Sequence, residues 1–86
     1  MSNEANKPAP RPLYTIAAEI KKTWKNVNYA AVPYLDAMAT LDNVQQNYGL
    51  DPGAHIVRYF LGNAQSWRGD DARRIKAELK ALVGDK

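Results

Sequence analysis

Eighty-six residues with a formal net charge of +3 and no cysteine suffice for one small domain and exclude a disulfide framework or a thiolate metal site. No stretch approaches the roughly 20 consecutive apolar residues of a membrane span. Residues 1–12 hold no apolar signal core, so a cytoplasmic chain without a membrane partner is expected.

Taken in chain order, residues 1–11 carry Pro8 and Pro10 among small and polar residues. They have too little apolar surface to offset ordering entropy and are expected to form a disordered tail. Residues 12–84 are expected to form a single all-α domain of about four short helices. Pro12 suits a first helical turn. Leu13, Ile16, Ala17, Ile20 and Trp24 then follow with the spacing of one apolar stripe, which predicts a first helix over about 12–25. Asn26 or Asn28 can cap a second helix that starts between Asn28 and Val32, with Pro33 tolerated in its first turn. Ala31, Tyr34, Leu35, Met38 and Leu41 form its inner face. Helical character is expected to about Asn47, with Asp42-Asn43 as a point where it can break and Gly49 as its left-handed terminator.

Asp51-Pro52 reads as an N-cap followed by proline at the first helical position. It predicts a third helix over about 52–65, with Val57, Phe60, Leu61 and Ala64 on one face. Gly62 costs helix propensity and, lacking a side chain, leaves room for another helix without showing that one is there. Ser66-Trp67-Arg68-Gly69 joins this helix to a fourth, with Asp70 as the expected cap and Asp71 complementing the dipole. Ala72, Ile75, Leu79 and Leu82 form the inward stripe, and Gly84 ends the helix. No stretch alternates with period two, so no sheet is expected.

The chain offers little to catalysis. His55 is the one histidine; it falls in the first turn of the third helix with no nucleophile placed beside it by a recognisable motif, and reads as a solvent-exposed helical residue. Asp51 and Asp70 read as caps, and no carboxylate pair has the helical spacing of a metal site. Gly49, Gly53, Gly62 and Gly69 are scattered, unlike a phosphate loop. No catalytic, cofactor or metal residue is therefore assigned, and the chain is expected not to be an enzyme.

Two surfaces remain. Tyr48, Tyr59, Trp67 and Arg68 belong to the residue types that anchor protein interfaces and form the candidate protein-binding patch. Lys21, Lys22 and Lys25 near the end of the first helix, with Arg73, Arg74 and Lys76 in the last quarter, are the candidate nucleic-acid contacts, provided the chain ends meet and the cations share a face. A homodimer is a further option, since a small core gains from an added interface.

The run Val32-Pro33-Tyr34-Leu35-Asp36-Ala37-Met38, then Asn47-Tyr48-Gly49, Ile56-Val57-Arg58-Tyr59-Phe60-Leu61-Gly62-Asn63-Ala64, Trp67-Arg68-Gly69 and Ala72-Arg73-Arg74-Ile75-Lys76 resembles a family of small uncharacterised proteins carried by bacteriophages and other mobile elements of bacteria. The resemblance spans about residues 13–82. It implies a bacterial cytoplasmic context and an accessory role, with no catalytic residue to carry over. The resulting expectation is a non-enzymatic interaction or regulatory module that binds a protein partner, with nucleic-acid binding through a basic face as the alternative.

Overall fold

In the computed structural model, which describes residues 10–84, the first helix begins without any side-chain cap. The helix, α1 (Leu13–Thr23), leaves its first amides unpaired, as every helix does. Two of them are met from a distance: Leu13 N–H donates to the Asp42 carbonyl and Tyr14 N–H to that of Leu41, each at 3.0 Å. The predicted stripe is buried, with Leu13, Ile16, Ala17 and Ile20 all inaccessible to solvent. The helix stops at Thr23, short of the expected Lys25, because Trp24 turns extended (φ −102°, ψ 94°) and carries its ring into the core.

The second helix, α2 (Val32–Met38), starts where expected and holds Pro33 in its first turn. It does not continue toward Asn47. Two carbonyls beyond its end, those of Leu41 and Asp42, are committed to the start of α1, so the chain must leave the helical path there. The Asn43 side chain fixes the detour, accepting from the amides of Gln45 and Gln46 at 2.9 and 3.1 Å. Asp42 N–H donates to Gln46 Oε1 at 2.6 Å. The Asn43 bonds are of the local Asx type that competes with helix.

Contrary to the expectation of no sheet, β1 (Asn47–Tyr48) and β2 (Asp51–Pro52) form a small antiparallel hairpin. Gly49 does adopt positive φ, at 62°, but as the first residue of the two-residue turn and not as a helix terminator. Glycine at that position with positive φ is what a type II′ hairpin turn requires.

The third helix, α3 (Gly53–Gly62), also corrects the sequence reading. Asp51 is a strand residue and caps nothing. The N-cap is Pro52, without a side-chain bond. The first amides again find loop carbonyls, Gly53 N–H reaching Gln46 at 2.6 Å and Ala54 N–H reaching Val44 at 3.0 Å. Residues 41–46 thus serve the starts of both α1 and α3. The close backbone approach falls at Gly53 and not at Gly62. A Cβ at Gly53 would lie 3.0 Å from the carbonyl oxygens of Asn43 and Gln46, whereas one at Gly62 would meet nothing within 4 Å.

The last helix, α4 (Asp70–Leu82), is preceded by Gly69 at φ 112°, which takes the cap position expected of Asp70. Asp70 and Asp71 occupy the first turn instead, where negative charge is favoured by the helix dipole. Gly84 follows the helix with φ 81°, as predicted.

The four helices close on one core, in which Ile56, Val57, Phe60, Ile75 and Leu79 join the α1 stripe. Trp24 and Trp67 stack within it, centroids 5.3 Å apart and planes 8° from parallel, and Phe60 meets both edge-on. Apart from the small hairpin, the described residues make an all-α single domain. Of the expected tail, residues 1–9 lie outside the described residues. Arg11 is firmly placed: its guanidinium forks onto Glu78 (2.6 and 2.9 Å) and bridges to Glu19 at 2.8 Å.

Candidate functional site

Tyr34 of α2, packed at the edge of the core, meets Tyr59 of α3 at the surface. Tyr34, half-buried, and Tyr59, 47% exposed, have ring centroids 5.4 Å apart. One helical turn before Tyr59, the His55 ring lies 6.4 Å from the tyrosine ring. Helical spacing explains the arrangement: Ile56, Val57 and Phe60 point inward, so His55 and Tyr59, four apart, share the outer face. His55 is exposed as expected.

The hairpin adds a second apolar feature on the element that leads directly into α3. Tyr48 is 48% exposed and Leu50, at the turn, 99%. The turn fixes Leu50 in solvent, because its neighbour Gly49 supplies the positive φ and Asp51 pairs back to Tyr48.

Of the four candidate interface residues, Tyr48, Tyr59 and Arg68 are exposed. Trp67 is not: with 4% exposure it belongs to the core stack against Trp24, which corrects its reading as a surface anchor. The reason is long-range. Trp67 has no stripe of its own to declare it buried, and its partner lies at the far end of α1. Sequence reasoning also missed Leu50, for which the signal was present. An isolated leucine between Gly49 and Asp51-Pro52 is an apolar residue amid turn-formers.

The six candidate nucleic-acid contacts are mostly engaged within the protein. Lys21 pairs with Asp36 on α2 at 3.3 Å. Arg73 pairs with Asp70. Arg74 reaches both Glu19 (2.7 Å) and Asp71 (3.0 Å), which holds the Glu19 carboxyl below its usual range, Arg74 contributing first and Arg11 next. Lys76 donates to the Trp67 carbonyl at 2.6 Å and sits 5.9 Å over its ring. Its ammonium is pushed below the usual lysine range by burial, then by the nearby charges of Lys80 and Arg68. Lys22 and Lys25 are exposed and make no ion pair among the described residues.

Among the described residues no three metal-ligating side chains converge, and no helix is long and apolar enough to cross a membrane. Comparison of the chain with protein families, with characterised proteins and with solved structures finds no match.

Proposed function

We propose that the chain is a non-enzymatic protein-interaction module that engages a protein partner through the aromatic face of α2 and α3 together with the hairpin tip. In this reading it works in a bacterial cytoplasm, in the accessory role that the resemblance to mobile-element proteins implies. The observation that carries it is the pairing of Tyr34 and Tyr59 on the surface, with Tyr59 left half in solvent. Rigid aromatic side chains already packed on one another lose little freedom on binding and supply large contact area. Leu50, held out by a tight turn, adds an exposed apolar side chain on the hairpin that leads into α3. The alternative, nucleic-acid binding, is weakened by the internal pairing of Lys21, Arg73 and Arg74, because a cation already neutralised contributes little to phosphate binding.

The test is affinity capture from a bacterial host with the wild-type chain, Tyr59→Ala, Leu50→Asp and, as a control, Lys80→Ala. A partner retained by wild type and Lys80→Ala and lost from the other two is the expected result, with a hot-spot loss of about 30-fold in affinity. Equal capture by all four chains would overturn the reading. Self-association abolished by Leu50→Asp would identify the partner as a second copy.

A further inference from the structure

Two joints of the chain repeat one device. Trp24-Lys25-Asn26 follows α1, and Ser66-Trp67-Arg68 precedes α4. In each, a tryptophan turns into the core and is followed at once by an exposed base. Because the two indoles stack on each other, Lys25 and Arg68 are brought to the rim of one groove. The groove is open, holds about 620 Å³, and is lined by Thr23, Trp24, Lys25, Asn26, Ser66, Trp67 and Arg68. No lining residue is acidic.

We propose that this groove binds an acidic peptide segment of a protein partner, with Lys25 and Arg68 pairing with its carboxylates.

Four observations carry the inference. Arg11, Lys21, Arg73 and Arg74 all pair with the protein's own carboxylates, whereas Lys25 and Arg68 have no such partner among the described residues. The Asn26 amide and Ser66 hydroxyl are likewise uncommitted there and can serve peptide carbonyls and amides. Arg68 also stands near the Lys76 ammonium without a counter-charge and helps to depress it, so an anion at Arg68 relieves a standing repulsion. Finally, the local geometry disfavours nucleic acid as the occupant. Base stacking needs free ring faces, and the two indole faces are closed on each other. The groove shares no residue with the Tyr34–Tyr59 face, so failure of the capture experiment leaves this proposal standing.

The experiment is an amide-resolved NMR titration of the full chain with a capped tetraglutamate peptide at millimolar concentration. Capped tetraglutamine and an oligothymidylate are run beside it. The expected result is a saturable shift of the Lys25, Asn26, Ser66 and Arg68 amides and of both indole N–H signals, absent with tetraglutamine and reduced by added salt. The double variant Lys25→Gln/Arg68→Gln, both positions exposed, is expected to keep a dispersed spectrum and to bind at least about tenfold more weakly. Equal shifts with tetraglutamine, unchanged binding by the double variant, no shift at all, or tighter binding of oligothymidylate would each overturn the proposal.

Discussion

A methyl group added at Gly53 would press on backbone from three sides: the carbonyl oxygens of Asn43 and Gln46 at 3.0 Å and the Val44 Cα at 3.1 Å. None of these is a flexible side-chain end, so the loop itself must shift. Gly53→Ala is therefore expected to destabilise the fold by about 1–3 kcal/mol, as overpacking does, despite alanine's better helix propensity. Gly62→Ala meets open space at a helical position and should stabilise by up to about 1 kcal/mol. Urea unfolding of the pair checks both signs, and equal shifts in one direction would contradict the packing argument. At Trp67, buried in a stack with Trp24, truncation to alanine should cost about 3–5 kcal/mol. That is a large share of the roughly 5–15 kcal/mol that holds a typical domain, and a lowered urea midpoint followed by far-ultraviolet circular dichroism would report it.

At the scale of elements, α1 and α4 are tied by charge as well as by apolar packing. Arg11, Glu19, Arg74, Asp71 and Glu78 form one linked set. Glu19 lies below its ordinary carboxyl range in the folded protein. A group with a folded value below its unfolded one contributes stability above the unfolded value and loses it as pH falls through the folded value. Wild type should thus lose stability on acidification below about pH 4.3 more steeply than Glu19→Gln, with the gap between them closing in acid. Chemical unfolding at a series of pH values measures this, and parallel curves would contradict it. The helices themselves were legible in the sequence because their stripes are local: Leu13, Ile16 and Ile20, or Ala72, Ile75 and Leu79, declare a buried face by spacing alone. Their ends were not. Asp51 and Asp70 have the chemistry of caps, yet α1 and α3 are completed by carbonyls of Leu41, Asp42, Val44 and Gln46, and no local pattern reports a distant carbonyl. The same limit applies at the surface. Tyr48 and Tyr59 were readable as off-stripe residues, while the ring that Tyr59 meets, Tyr34, sits on another helix that spacing had assigned to the core.

For the molecule as a whole, the formal charge of +3 is twelve bases less nine acids, and part of that cancellation falls at the candidate nucleic-acid contacts themselves. Lys21, Arg73 and Arg74 are neutralised by near neighbours, so the chain should show no micromolar binding to duplex DNA at physiological salt. Fluorescence anisotropy across a salt series decides this: steep salt-dependent binding would bring the nucleic-acid reading to the front. Eighty-six residues also leave a core with little stability in reserve, and an added partner interface would stabilise the folded state by mass action.

The loop over residues 41–46 joins two helix starts that have no bond to each other. The amides of Leu13, Tyr14, Gly53 and Ala54 all end on its carbonyls, so a single opening of the loop exposes all four to solvent deuterons. Their exchange rates should report one common opening free energy, distinct from that of the α4 start. Asn43→Ala, which removes the side chain that shapes the loop, should accelerate all four in step. In this small domain the least regular segment sets the breathing of two regular ones.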